Sequence, residues 1–334
     1  MENLHLLLFT LLCFAFALLS HGGAKVTALK TQDGSEEWGY VQVRPKAHMF
    51  WWLYRSPYRV EDPSKPWPIV LWLQGGPGAS GVGIGNFEEV GPLDTNLKPR
   101  NSTWLRKADL LFVDNPVGTG FSFVEDSKFF VKTDEEAAID LTTLLIEIFN
   151  KDESLQKSPL FLVAESYGGN IARKIKQQLE AGQFVDATNS WSELESVISS
   201  YSNDVDFYNF LLDSGSDTDS ATLSAMKLGL SREIAMKRYS KYLTSRRANP
   251  GGNSDIDTLL NGVIRKKLKI IPQNITWGGQ SEQVFESLEG DFMKPRINEV
   301  DELLAKGVNV TVYNGQVDLI CATKGTEAWV RKLK

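Results

Sequence analysis

Three short apolar runs, each bounded by turn-forming residues, constrain the fold of this chain more than any other feature. They cover Pro68 to Gln74, Asp109 to Asp114 and Pro159 to Ala164. Such runs are typical of strands buried on both faces of a mostly parallel sheet, with helices in the connections. Two earlier segments, Gly39 to Val43 and His48 to Tyr54, also have strand character. The sequence therefore predicts an α/β fold.

Helices are predicted between and after these strands. Thr133 to Phe149 begins with a capping box and carries apolar residues at helical spacing. Asn170 to Glu180 has one apolar stripe, and Lys294 to Lys306 ends at Gly307. The apolar run Val308 to Tyr313 is predicted to form the last strand.

Length and composition indicate one large globular domain with an insertion. The chain has 334 residues, of which 42% are hydrophobic, enough to bury a sizeable core. We expect the domain at residues 25–185 and 258–334, separated at 186–257 by a polar insertion of helices and loops. The net charge of -6 argues against a nucleic-acid partner, which needs a clustered basic excess.

The first 24 residues have the pattern of a signal peptide. Leu6 to Leu19 is almost purely apolar, and small residues follow up to Ala24. The run is shorter than the roughly 20 residues that span a bilayer, although an uncleaved anchor is an alternative. We expect a secreted or lysosomal protein with no membrane attachment after cleavage. Three sequons, at Asn101, Asn274 and Asn309, could then accept glycans.

The strongest chemical signal follows the third apolar run, at Glu165-Ser166-Tyr167-Gly168-Gly169. A small-x-Ser-x-Gly turn between a strand and a helix holds the serine hydroxyl exposed, with backbone N–H groups facing a developing oxyanion. The first apolar run ends in a glycine turn, Gln74-Gly75-Gly76-Pro77-Gly78. Glycine allows a backbone to approach a substrate closely, as an oxyanion hole requires.

These motifs, together with Asp114-Asn115-Pro116-Val117-Gly118-Thr119-Gly120-Phe121-Ser122, resemble the serine carboxypeptidase family, most closely its retinoid-inducible branch. The resemblance implies an α/β-hydrolase fold and covers about Trp38 to Asn170 and Ile256 to Lys334. It implies that Ser166 is the nucleophile and Asp318 the triad acid. The backbone N–H groups of Gly76 and Tyr167 would form the oxyanion hole.

The same resemblance implies a clamp for the C-terminal carboxylate of a peptide. Gln74, Gly75 and Glu165 would form it, with Glu89 as a further acid. A carboxyl group binds a carboxylate only while one of the two is protonated, so such a clamp favours acidic pH. The chain departs from the family at two positions: Gln74 replaces an asparagine, and Ala79 replaces a cysteine found in many relatives.

Two family features are missing from the sequence. The triad histidine should follow Asp318 on this fold, but the three histidines are His5, His21 and His48. An apolar inner strand should follow the elbow helix, and Gly182 to Asn203 contains no such run. We therefore expect an incomplete α/β-hydrolase sheet and an inactive or weakly active chain.

Three functions remain open at this point. The first is a carboxypeptidase that hydrolyses C-terminal peptide bonds through an acyl-enzyme on Ser166. The second is a non-catalytic secreted protein that binds peptide C-termini or a partner. The third is an acyltransferase that uses the same serine chemistry. No cofactor and no metal site are predicted, and peptide or protein C-termini are the expected ligands.

Overall fold

The computed structural model describes residues 25–60, 62, 64–166 and 256–334, with the single residues 198, 207 and 209. The predicted signal peptide, Tyr167, the predicted helix Asn170 to Glu180 and most of the insertion at 186–257 lie outside the described residues. Within the described part of the chain, no helix is long and apolar enough to cross a membrane.

In the described residues, seven strands form a single mixed sheet. They are β1 (Val26–Lys30), β2 (Glu36–Arg44), β3 (Ala47–Tyr54), β4 (Ile69–Leu73), β5 (Asp109–Val113), β6 (Phe123–Val124) and β7 (Leu160–Ala164). Their order is β1-β2-β3-β5-β4-β7, and β6 pairs with β3 beside this path. The first three strands and β5 are antiparallel neighbours, whereas β5, β4 and β7 run parallel. The parallel sheet predicted from the three apolar runs is confirmed.

β2 and β3 form a hairpin closed by two residues. Pro45 and Lys46 connect them, and Lys46 adopts a left-handed backbone with φ of 66°. The pairing runs from Glu36 opposite Tyr54 to Arg44 opposite Ala47, with a register shift between Gln42 and Arg44. This hairpin is the most local pairing in the sheet.

Eight labelled helices accompany the sheet in the part of the chain that the structure describes. They are α1 (Gly81–Val90, with π-helical hydrogen bonding), α2 (Asp134–Lys151), α3 (Glu153–Gln156), α4 (Ile256–Leu259), α5 (Arg265–Leu268), α6 (Glu282–Phe292), α7 (Ile297–Ala305) and α8 (Thr323–Val330). Leu260–Ile264 is a π-helical turn that joins α4 to α5, and Trp104–Arg106 and Ser127–Phe129 are 3-10 turns.

Apolar cores lie on both faces of the sheet. Leu111 and Phe112 are consecutive in β5 and therefore point to opposite faces. Phe112 packs in a cluster with Leu260 and Trp277, which belong to the described range 256–334. Leu111 packs in a second cluster with α2, whose Leu144 is fully buried. Burying each such side chain contributes about 2 kcal/mol, so both layers hold the sheet in place.

The predicted helix after Thr133 is confirmed as α2. The hydroxyl of Thr133 accepts a hydrogen bond from the backbone N–H of Glu136, which caps the first turn. The predicted helix near residues 294–306 is confirmed as α7, and Gly307 follows it with φ of 76°.

One strand prediction is wrong. Residues 308–313 form no β-ladder with any described strand, and their side chains are exposed. The alternating valines have strand propensity, but a strand also needs a neighbour that satisfies its backbone groups. β7 pairs with β4 on one side, and no described residue pairs with its other side. Phe161 and Leu162 of β7 are 56% and 61% exposed. The sheet is incomplete between these two segments in the described part of the chain.

Candidate active site

Ser166 lies two residues beyond the end of β7, on an exposed turn. Its φ of 59° is in the left-handed region, which residues with a side chain rarely adopt and which costs roughly 1–2 kcal/mol. Strain of this kind concentrates at functional sites. The serine predicted as nucleophile therefore has a strained backbone just beyond the end of β7.

The glycine turn after β4 contacts the Ser166 turn directly. A Cβ added to Gly75 would lie 2.8 Å from both the Cβ of Ser166 and the carbonyl oxygen of Glu165, and 3.4 Å from Ser166 Oγ. Gly76 has φ of 116°, a conformation that favours glycine. The structure thus brings Gly75 and Ser166 together. Tyr167, the other predicted oxyanion donor, lies outside the described residues.

Gln74 joins two acidic side chains at the end of β4. Its Nε2 donates to Glu89 Oε1 at 3.1 Å and to Glu165 Oε2 at 2.9 Å. Its Oε1 accepts a hydrogen bond of 2.7 Å from the indole N–H of Trp72. Because the indole can only donate, it fixes the orientation of the amide. The longer side chain of Gln74 therefore reaches both acids, and three of the predicted clamp residues meet at one point.

Glu89 is the most perturbed acid of this cluster. Burial, reinforced by the negative charge of Glu165, raises the pKa of Glu89 from 4.5 to about 8. Glu89 Oε2 is buried and has no hydrogen-bond partner among the described residues. Below pH 8 the cluster holds a proton on its carboxyl groups, and a protonated carboxyl can donate a hydrogen bond to an anion.

Helix α1 carries Glu89 to this position. Ser80 caps the helix by accepting a hydrogen bond of 2.9 Å from the N–H of Gly83. Gly85 faces the end of β4, where an added Cβ would lie 2.5 Å from Trp72 and 2.9 Å from Gln74 Oε1. The absence of a side chain at Gly85 therefore allows α1 to approach the clamp residues closely.

A buried hydrogen-bond network supports the glycine turn and the start of α1. Ser80 Oγ donates to Asp114 Oδ1 and accepts a hydrogen bond from Trp277 Nε1. Asp114 also accepts from the N–H groups of Val82 and Phe121. Burial raises the pKa of Asp114 to about 6 despite these hydrogen bonds. The Asp114 motif recognised in the sequence thus supports the site structurally.

Gln280 is a supporting residue that sequence reasoning missed. Its Nε2 donates to the carbonyl of Pro77 at 2.7 Å, and its backbone forms a β-bridge with Ala79. A Cβ on Gly78 would lie 2.8 Å from the carbonyl of Ser281. The segment before α6 therefore braces the glycine turn, and no sequence pattern marks this contact.

Asp318 and Tyr313 belong to the C-terminal part of the chain. The half-buried carboxylate of Asp318 accepts a hydrogen bond of 2.8 Å from the N–H of Cys321, and burial raises its pKa. Burial and the charges of Glu165 and Glu89 raise the pKa of the Tyr313 phenol. The clamp acids therefore act electrostatically on the end of the 308–313 segment, and Tyr313 is a neighbour that the sequence did not indicate.

His48, the only histidine in the described residues, lies in another part of the sheet. Its ring stacks on Phe123 with centroids 4.5 Å apart, and Nε2 lies 3.2 Å from Glu125 Oε1. β5 and β4 separate its strand from β7. His48 is therefore a packing residue of β3.

The three sequons are on the surface. Asn101, Asn274 and Asn309 are all exposed. The sequence placed Asn309 next to a buried strand, but the 308–313 segment is neither buried nor paired with a described strand.

Comparison with known proteins gives a family match and several similar sequences. The serine carboxypeptidase family model (Peptidase_S10) matches in two segments, residues 28–184 and 173–334. Serine carboxypeptidase-like 51 of Arabidopsis thaliana is 53% identical over 381 aligned positions, which cover 94% of this chain and 82% of that protein. The mouse retinoid-inducible serine carboxypeptidase is 39% identical over 386 positions, covering 97% and 83%.

A solved structure shows the fold. The prohormone-processing carboxypeptidase Kex1(delta)p of Saccharomyces cerevisiae superposes with a TM-score of 0.59 at 18% identity, covering 90% of this chain and 77% of that chain. The α/β-hydrolase fold predicted from the sequence is confirmed by this likeness. Given the family match along nearly the whole chain, the protein belongs to the serine carboxypeptidase family.

Proposed function

We propose that this chain binds peptide or protein C-termini through the Gln74–Glu89–Glu165 cluster, beside a serine carboxypeptidase nucleophile at Ser166. The observation that carries the proposal is the Gln74 amide, which donates to both carboxyl groups. One carboxyl of the pair holds a proton up to about pH 8. It can therefore donate to the terminal carboxylate of a peptide.

We further propose that the 334-residue chain turns over peptides very slowly. Ser166 is an ordinary alcohol unless a general base accepts its proton. No histidine follows Asp318 in this sequence, and loss of a triad histidine costs on the order of 10⁶ in turnover in well-studied hydrolases. In this chain we propose Asp318 as the triad acid and the backbone N–H groups of Gly76 and Tyr167 as the oxyanion donors.

A peptide-binding experiment tests the first proposal. A fluorescent peptide with a free C-terminal carboxylate is titrated at pH 5 against the same peptide with a C-terminal amide. We expect binding of the acid and about tenfold or more weaker binding of the amide. Gln74→Leu should remove this preference, and Gln42→Leu on β2 is the matched control. Equal binding of the two peptides would refute carboxylate recognition.

A fluorophosphonate probe tests the proposal of slow turnover. We expect no labelling of the purified chain at Ser166 on a time scale at which an active serine carboxypeptidase reacts fully. Rapid labelling that disappears in Ser166→Ala would show an activated serine and overturn the proposal of slow turnover.

We also propose that residues 1–24 are a signal peptide and that Asn101, Asn274 and Asn309 can accept glycans in the secretory pathway.

A further inference from the structure

The C-terminal end of α1 is held by side chains from a later segment of the chain. Arg100 donates from its two terminal guanidinium nitrogens to the carbonyls of Phe87 and Glu88. The hydroxyl of Thr103 donates to the carbonyl of Val90 at 3.0 Å. The last four carbonyls of a helix have no partner within the helix itself. Arg100 and Thr103 bind three of these four carbonyls in α1.

A closed loop leads the chain from the end of α1 back to Arg100. The backbone N–H of Arg100 donates to the carbonyl of Pro92 at 2.8 Å, and Leu93 forms a β-bridge with Pro99. Inside the loop, the Asp94 carboxylate accepts hydrogen bonds from two backbone N–H groups. The loop is therefore fixed by its own hydrogen bonds and places Arg100 against α1.

Glu89 lies between the carbonyls that Arg100 and Thr103 bind. Its Oε1 accepts a hydrogen bond of 3.1 Å from Gln74 Nε2, which is near the upper end of the usual range for such a bond. Moving the last turn of α1 by about half an ångström would lengthen the bond beyond that range. The backbone position at residues 87–90 therefore decides whether Glu89 reaches Gln74.

The last turn of α1 carries an unfavourable charge pattern. Glu88 and Glu89 both lie in this turn, and α1 has no basic residue of its own there. The negative end of the helix dipole disfavours carboxylates, whereas a cation near the last carbonyls is stabilising. Arg100 supplies this cation from outside the helix.

We propose that Arg100 and Thr103 are positioning residues for Glu89, which hold the last turn of α1 where the Glu89 carboxyl reaches Gln74. This inference rests on the proposed function, because the Gln74–Glu89–Glu165 cluster would bind the terminal carboxylate of a peptide. In this role neither residue needs to contact the peptide, since each acts through the backbone of α1.

The first measurement is the pH at which the chain stops preferring a fluorescent peptide acid over its C-terminal amide. Arg100→Lys keeps the positive charge but removes the fork of donors that reaches two carbonyls. We expect the preference to be lost about one pH unit lower in this variant, because a Glu89 released toward water and away from Glu165 ionises more easily. A weaker positive charge at position 100 would move this pH upward instead, so the direction separates position from charge.

The controls keep the other titratable groups around Glu89 unchanged, namely Glu165, Glu88 and Tyr313. Arg106→Lys makes the same exchange at an exposed residue of the neighbouring 3-10 turn and should have no effect.

A second variant removes the other donor without a change of charge. Thr103→Val should lower the pH limit as Arg100→Lys does, and Thr103→Ser, which keeps the hydroxyl, should restore it. Thr103→Val also removes the sequon at Asn101. Asn101→Gln removes the sequon alone and should leave the pH limit unchanged.

Urea denaturation at pH 8 tests the same positions without a peptide. The stabilising effect of Glu89→Gln, measured as a ratio of unfolding equilibrium constants, should fall about fivefold when Arg100→Lys is also present. Leu155→Ala is the control for general loss of stability. Leu155 is buried in the core cluster on the other face of the sheet from α1, so Leu155→Ala should leave the effect of Glu89→Gln unchanged.

The two measurements separate the inference from the proposed function. An unchanged pH limit in Arg100→Lys and Thr103→Val, with an unchanged effect of Glu89→Gln, would overturn the positioning role even if the peptide acid is preferred. A shift of the same size in Arg106→Lys would also overturn it. Equal binding of acid and amide by the original chain would refute carboxylate recognition, and the denaturation result would then decide by itself whether Arg100 positions Glu89.

Discussion

Ser80 Oγ donates a hydrogen bond of 2.5 Å to Asp114 Oδ1 in the fully buried layer behind the glycine turn. Asp114 follows β5, whereas Ser80 is the residue that caps α1. This bond therefore connects the end of a central strand to the helix that carries Glu89.

Replacing Ser80 should destabilise the protein. Ser80→Ala removes the hydroxyl that bonds Asp114, Trp277 and the N–H of Gly83, which leaves three buried polar groups without this partner and costs about 1–3 kcal/mol. Thr142→Ala is the control, because its hydroxyl bonds Ala138 on an exposed helix face and should change stability by less than about 0.5 kcal/mol. Urea denaturation measures both. Equal losses of stability in the two variants would show that the buried Ser80 hydrogen bonds contribute no more than the exposed Thr142 hydrogen bond.

Two glycine substitutions should have opposite effects. In Gly75→Ala the new Cβ would lie 2.8 Å from Ser166 Cβ, and the resulting backbone shift should cost about 1–3 kcal/mol. Gly262 is in the π-helical turn Leu260–Ile264, and an added Cβ there meets nothing within 4 Å. Gly262→Ala should stabilise by about 0.5–1 kcal/mol. Thermal denaturation at one pH compares them, and a stable Gly75→Ala would argue against the close contact.

Glu89→Gln should change the pH dependence of stability. The folded-state pKa of Glu89 is about 8, above its ordinary value of 4.5. The folded protein therefore favours the protonated form, and this contribution is complete below pH 4.5 and is lost as the pH rises to 8. The neutral glutamine should have little effect at pH 4.5 and should stabilise by a few kcal/mol at pH 8.

The control for this measurement is Glu302→Gln on α7. Glu302 is exposed, and hydrogen bonding and the charge of Lys306 lower its pKa, so its replacement should give no stabilisation at pH 8. Denaturation at a series of pH values compares the two variants. A constant difference between Glu89→Gln and the original chain across this range would show that Glu89 is not protonated at neutral pH.

Glycine at position 166 should stabilise the fold. Ser166 has φ of 59°, and glycine adopts this conformation without the steric cost of about 1 kcal/mol. Ser166→Gly should therefore raise the free energy of unfolding, while Ser166→Ala should leave it nearly unchanged. Ser102→Gly, at an exposed turn where the backbone is not left-handed, should lower it. Destabilisation by Ser166→Gly would mean that the turn is not strained.

The sequence predicted the positions of the three parallel strands well because their local composition is sufficient, although β7 is largely exposed where a strand buried on both faces was predicted. β4, β5 and β7 are each within two residues of the predicted runs. The 308–313 segment has equally strong strand propensity, but its pairing depends on a neighbouring strand elsewhere in the chain. Local propensity carries no information about that neighbour.

Helix α1 is the reverse case, because its local composition disfavours an element that the structure contains. Gly81–Val90 contains three glycines, which disfavour a helix, and no helix was predicted there. The Ser80 cap and contacts with buried residues of the sheet stabilise it instead.

The clamp could be anticipated only from family resemblance. Gln74 and Glu165 are separated by 91 residues, so spacing alone does not bring them together. The indole of Trp72 and the phenol of Tyr313 were not anticipated, because both residues belong to runs that look like ordinary strand interior.

The tight β2–β3 hairpin has a consequence for the order of assembly. Its strands join residues that are close in sequence, so closing it requires little loss of chain entropy. Pairing β4 with β7 joins Ile69 to Leu160 across a far longer loop. We expect the antiparallel half of the sheet to gain hydrogen-exchange protection first during refolding, with the half that carries Ser166 assembling on this template. Simultaneous protection of both halves in pulse-labelling would show that folding is not sequential.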